Sequence, residues 1–181
     1  NSIIYYAVSN PHEYSLRIGQ EIRDSALYKF DKSTGIHTCI PKGPTATIHA
    51  MVYYTWASTY KILMGGDFVM LADLSGIKIN HVALYDVPTN TFGTWGGGYG
   101  VNDTVLSIAY SNFNNAPYPR FFISGRFTNA NNVACSSHYC WYEFENNNVT
   151  PRNSTTVAGS LHSMVWKPVA NEAYVFGIFD P

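Results

Sequence analysis

His49 and His162 occupy the same place in two segments of like pattern, Thr47-Ile48-His49-Ala50-Met51-Val52-Tyr53 and Ser160-Leu161-His162-Ser163-Met164-Val165-Trp166. Two imidazoles brought together would supply half of a tetrahedral metal site, which needs four ligands. The third segment of the set, Thr104-Val105-Leu106-Ser107-Ile108-Ala109-Tyr110, carries Leu106 at that place, so the histidines read as structural. His138 stands between Cys135 and Cys140, with no second Cys/His cluster at zinc spacing. The two cysteines read instead as a disulfide closing a short loop, a bond that persists in oxidising compartments. Cys39 is then left over, as a thiol or as a link to something outside the chain. Glycoside hydrolysis needs two carboxylates on one rim, and nothing in the spacing of Asp67, Asp73, Asp86 and Glu143 pairs them. Gly96-Gly97-Gly98-Tyr99-Gly100 lacks the Lys-Ser/Thr that completes a phosphate loop and reads as a hairpin connection. No catalytic residue, metal site or cofactor is assigned.

Two residue classes carry more weight. Asn102-Asp103-Thr104, Asn148-Val149-Thr150 and Asn153-Ser154-Thr155 are N-glycosylation sequons, placed where hairpins and connectors are expected. Trp56, Trp95, Tyr99 and Tyr118 are aromatics outside any repeating pattern, at expected loops or strand ends. There they would stack on a sugar or anchor a protein contact. The repeating aromatics, Tyr28, Tyr85 and Tyr142 and then Tyr53, Tyr110 and Trp166, read first as structural layers.

Charged residues make up 13% of the 181, against about 25% in an average soluble domain. A low-charge surface rich in Tyr and Asn suits a secreted or cell-surface β-protein. The net charge of −1, with Lys and Arg scattered, gives no footprint for nucleic acid. Apolar runs fall far short of the ~20 residues that span a bilayer.

What must position these residues is a repeat. Ala26-Leu27-Tyr28, Ala83-Leu84-Tyr85 and Cys140-Trp141-Tyr142 stand 57 residues apart each time. About twenty residues after each Tyr comes the Thr-Val-Leu-Ser-type segment, then a third one: Leu63-Met64-Gly65-Gly66-Asp67-Phe68, Phe122-Ile123-Ser124-Gly125-Arg126-Phe127 and Tyr174-Val175-Phe176-Gly177-Ile178-Phe179. Self-similarity at this period, in short β-branched and aromatic runs bounded by Gly, Pro, Asn and Asp, predicts an all-β array of about three four-stranded repeats. Their approximate bounds are 9–68, 69–127 and 128–179 in a single domain spanning 1–181. Ile3 to Val8 aligns with the glycine-bearing strand and forms an orphan strand over 1–8. Glu13 to Leu27 is the nearest approach to a helix, without a clean apolar stripe. Gly66, Gly125 and Gly177 align, marking a bulge or a close backbone approach.

Met64-Gly65-Gly66-Asp67-Phe68, followed by Val82-Ala83-Leu84-Tyr85-Asp86-Val87-Pro88-Thr89-Asn90-Thr91-Phe92, resembles the kelch pattern. It is closer still to the Gly-Gly-x-Phe repeats of secreted and cell-surface propellers, the galactose-oxidase-like and fungal polarity-marker ectodomain type. The chain departs from that pattern in keeping the glycine pair only once, in placing Lys29 and Glu143 where Asp86 stands, and in its longer period. The resemblance implies a β-propeller and a binding or scaffold role. Propellers close with four to eight blades, so these repeats are expected to be part of a larger propeller or assembly. The expectation is an extracellular or cell-surface glycosylated interaction module, binding a protein partner, glycans or copies of itself. The alternatives are a carbohydrate-active or oxidase enzyme with its site partly outside this chain, and an intracellular kelch-type adaptor.

Overall fold

The computed structural model describes residues 3–9, 25–71, 79–95, 100–111, 119–134, 139–145, 148–153, 159–167 and 172–179, the last four stretches by backbone alone. Every regular element among them is a β-strand, and every strand pairing is antiparallel. Among the described residues no helix is long and apolar enough to cross a membrane. Most of the segment 13–27 lies outside the described residues; its last residue, Leu27, begins a strand.

The first sheet runs β1 (Ile3–Ala7), β2 (Leu27–Asp31) and β3 (Ile36–Cys39). The second is a four-strand meander of β4 (Ile48–Trp56), β5 (Thr59–Gly66), β6 (Val82–Asp86) and β7 (Thr91–Thr94). In the third, β8 (Val105–Ser111) and β9 (Arg120–Gly125) are followed by a small hairpin of β10 (Asn129–Ala130) and β11 (Val133–Ala134), then by β12 (Tyr139–Glu145) and β13 (Asn148–Asn153). The fourth holds β14 (Gly159–Lys167) and β15 (Glu172–Phe179). Each four-stranded sheet therefore joins two strands from one sequence repeat to two from the next. The leading strands lie in a row, β4 against β8 and β8 against β14. Among the described residues no strand of the fourth sheet pairs with the first.

The glycine-bearing strands show what the repeat is for. Ile48 stands opposite Gly66, Val105 opposite Gly125 and Leu161 opposite Gly177, and a bulge follows at once in all three leading strands. The carbonyl of the residue just ahead of the leading strand lies over the glycine. A Cβ on Gly66 would lie 2.0 Å from the Thr47 oxygen, and one on Gly125 2.0 Å from that of Thr104. Only glycine leaves that space. The aligned Phe68 and Phe127 two residues on are fully buried. Gly65 serves the packing between sheets, since a Cβ there would meet Val105 of the next one.

Turns follow from local chemistry. Ala57 and Ser58 both take positive φ between Trp56 and Thr59, as a two-residue hairpin requires. Asn131 and Asn132 do the same between β10 and β11. The β2–β3 and β6–β7 turns share one device. Asp31 accepts from the Ser33 amide (2.8 Å) and Asp86 from the Thr89 amide (3.2 Å), with Gly35 and Asn90 at positive φ, each four residues after its carboxylate.

Because strands alternate their side chains, the second sheet feeds two cores. Leu27, Ile62, Met64, Phe68, Ala83 and Tyr85 fill the space between the first and second sheets. Tyr54, Leu63, Trp95, Val105, Phe121 and Ile123 fill that between the second and third.

Candidate functional site

One end of the first junction is open. A groove of about 680 Å³ lies there, lined by Ile3, Ile4 and Tyr5 of β1, Met51 and Tyr53 of β4, Ile62 of β5, and Val87 just past β6. Alternation on β4 explains the β4 side. After its bulge, Met51 packs against the first core, whereas Val52 and Tyr54 turn toward the third sheet. Tyr53 is 53% exposed and stacks on Tyr60 at 5.7 Å, itself 49% exposed. Ile3 and Ile4 are 40% and 42% exposed. Adjacent isoleucines point to opposite faces of a strand, a composition that fits burial on both faces, yet both meet solvent here. Burial and then the neighbouring Tyr53 push the Tyr5 phenol above its ordinary pKa. At neutral pH the groove wall is therefore uncharged, formed of aliphatic side chains and neutral phenols.

The polar cluster nearest a leading-strand bulge holds His49, Asp67 and Thr104. Asp67 lies 2.9 Å from His49 Nε2 and accepts from the Thr104 hydroxyl at 2.8 Å. Burial works to raise the Asp67 carboxyl, but Thr104 and His49 outweigh it and hold it below the usual range. Among the described residues no three His, Cys, Asp or Glu side chains gather as metal ligands. Asp86 bonds Lys61 and closes its own turn; the Lys61 bond most of all, and then the Thr89 contacts, lower its pKa although burial works to raise it. These carboxylates join strands and turns. Asp73 lies outside the described residues, and Glu143 stands in β12 opposite Arg120 and Thr150.

The aromatics named from sequence separate. Trp56 ends β4 and is half-buried against the second core. Trp95 follows β7 and is buried, edge-on to Phe121 at 6.3 Å. Tyr99 and Tyr118 lie outside the described residues. Tyr28 and Tyr85 are buried layers, while Tyr53 faces the groove. Sequence reading passed over Ile3, Ile4, Met51, Ile62 and Val87, because apolar wall residues carry no motif.

Asn102 is exposed, and its Oδ1 accepts from the amides of Thr128 and Asn129 at 2.9 and 2.8 Å. Its Nδ2 donates to Thr128 Oγ1 at 3.2 Å. Asn148 and Asn153 are the end residues of β13, a sheet-edge strand rather than a connector. Cys39 is a buried thiol 3.8 Å from the Ser25 carbonyl oxygen. Cys140 stands in β12, and Cys135 lies outside the described residues. No family model matches the chain, and no curated protein matches it either.

Proposed function

We propose that this chain is a propeller-like interaction scaffold, secreted or displayed at the cell surface, whose groove takes a polypeptide partner. The observation that carries this is the groove itself: a concavity with apolar walls, open at one end of a junction that is otherwise packed. Sugar recognition would call for polar groups among the wall residues, whereas this lining suits aliphatic and aromatic side chains of another polypeptide. Repeating sheets with leading strands in a row supply rigidity, which supports the propeller reading. N-glycans at Asn102, Asn148 and Asn153 and a Cys135–Cys140 disulfide belong to the same proposal. A glycan on Asn102 Nδ2 leaves both contacts of its Oδ1 in place. Thr104 of that sequon is buried against Asp67, so modification there precedes folding.

The test uses the full chain purified from its native extracellular compartment. Intact mass is compared before and after N-glycan removal, and sedimentation is compared for wild type and Tyr53→Asp. The expected results are a mass loss, and a complex larger than one 20.2 kDa chain that Tyr53→Asp dissociates. A wild type that sediments as a lone chain overturns the interaction reading. An unshifted mass overturns the glycoprotein reading.

A further inference from the structure

Resting on that reading of the groove, we infer that its occupant is a single extended strand, paired antiparallel to the open edge of β1 and carrying the Met/Ile-Val/Ala-Tyr/Trp pattern of β4, β8 and β14.

The backbone of β1 sets the edge. The Val8 amide donates to the Ala26 carbonyl at 3.0 Å, and the Ile40 amide to the Leu27 carbonyl at 2.9 Å. Alternate residues of an antiparallel strand turn both backbone groups to the same neighbour. Ile4, Tyr6 and Val8 therefore face β2, and Ile3, Tyr5 and Ala7 turn their N–H and C=O groups outward. No described residue pairs with that side of β1.

Register identifies what fits it. Ala7 stands opposite Leu27, as Leu63 stands opposite Leu84 and Phe122 opposite Trp141. On their other sides Leu63 meets Val52 and Phe122 meets Ala109, and Tyr174 of the fourth sheet meets Val165. The place beside Ala7 thus corresponds to Val52, Ala109 and Val165. Beside Tyr6 the counterparts are Tyr53, Tyr110 and Trp166, and beside Val8 they are Met51, Ile108 and Met164. Faces follow as well. Val52 and Tyr54 point into the core they share with the next sheet. Side chains beside Ala7 and Tyr5 would likewise point onto Met51 and Tyr53. The groove has the location and the apolar walls that those side chains need. Strand addition of this kind takes affinity from the backbone ladder and specificity from alternate side chains.

The probe is a fluorescein-labelled peptide of residues 47–56, Thr-Ile-His-Ala-Met-Val-Tyr-Tyr-Thr-Trp, with solubilising lysines, titrated with the full chain and followed by anisotropy. Saturable binding is expected, with hydrogen exchange slowing at the Ile3, Tyr5 and Ala7 amides. Ala7→Pro removes an outward amide and leaves the ladder to β2 intact, so it weakens binding about tenfold. A peptide with proline in place of Val52 loses affinity similarly while leaving the protein untouched. Equal affinity for either proline form overturns the strand and leaves the wider interaction reading standing. No saturable binding, or amides of Ile3, Tyr5 and Ala7 already protected without peptide, overturns it as well. The sedimentation result judges the wider reading separately.

Discussion

The junction between the second and third sheets and that between the first and second are built from one set of parts and end differently. Both have a buried Phe after the glycine-bearing strand, Phe127 and Phe68. In both, a threonine carbonyl just ahead of the β4 or β8 bulge closes over a glycine. At the corresponding end of the second–third junction, Tyr110 packs 5.8 Å from Tyr54 and 5.4 Å from Phe121, and Tyr54 is 2% exposed. At the same place in the first–second junction stands Tyr53, with more than half its surface in water. This end of a junction is sealed by a leading strand of the preceding sheet, which β4 supplies to one junction and no described strand supplies to the other.

Truncating the corresponding residue in both junctions is the strongest way to break this comparison. Phe121 lies opposite Tyr110, and Ile62 opposite Tyr53. Phe121→Ala leaves an enclosed cavity and is expected to destabilise by about 4 kcal/mol. Ile62→Ala widens a groove already open to water, so about 2 kcal/mol is expected. Urea midpoints at unchanged slope measure both. Equal losses would mean that the first junction is as closed as the second. Gly66→Ala and Gly125→Ala sharpen the shared half, because each drives a Cβ into a carbonyl oxygen of its own sheet. Thermal unfolding should show about 3 kcal/mol lost at either position, alike within error. A difference between them would show that the bulge is not one device used twice.

The strands and their order of repetition were legible because short apolar runs bounded by turn formers recur at a fixed spacing. The aligned glycines announced a bulge or a close approach, and the structure shows both at once. The turn carboxylates were harder. Asp31 does for the first sheet what Asp86 does for the second, but β2 runs longer past its Tyr, so comparing Lys29 with Asp86 hid the match. Trp95 stands outside the repeating pattern yet fills the core, because sequence spacing does not say which way a strand-end side chain turns. The groove was least legible. Tyr53 belongs to a repeating aromatic set, and what distinguishes it from Tyr110 is that no described strand covers it. That difference lies in tertiary packing and leaves no trace at position 53.

The aromatic pair tests that point at smaller magnitude. Tyr110→Ala should destabilise by about 2 kcal/mol, while Tyr53→Ala, at a solvent-facing position, should stay within about 0.5 kcal/mol. Adding the β4 peptide should enlarge the second effect and draw the two together. Tyr54→Phe bears on the dry junction alone. The Tyr54 hydroxyl is buried with no hydrogen-bond partner among the described residues, and burial, then Tyr110 and Asp86, pushes its pKa up. Removing an unpaired buried hydroxyl should stabilise by about 1 kcal/mol. A loss on calorimetry would reveal a partner reaching into the junction.

The smallest effect concerns the polar stitch across the second–third junction. Asp67 follows the glycine of β5, bonds His49 at the β4 bulge, and accepts from Thr104 just ahead of β8. Its folded carboxyl sits below the ordinary range despite burial, so the folded state favours the ionised form. The resulting stability is complete above the unfolded carboxylate pKa of roughly 4 and is lost as pH falls through the lower folded value. With the Asp67 side chain 45% exposed, solvent screening keeps the contribution below about 1 kcal/mol. Asp67→Asn should therefore lower the neutral plateau by less than about 1 kcal/mol and leave stability at the acid end unchanged, so that the acid limb flattens slightly. If the acid limb is unchanged, the junction is held by its apolar contacts alone, and what separates the two junctions is purely the strand that covers Tyr110 and leaves Tyr53 bare.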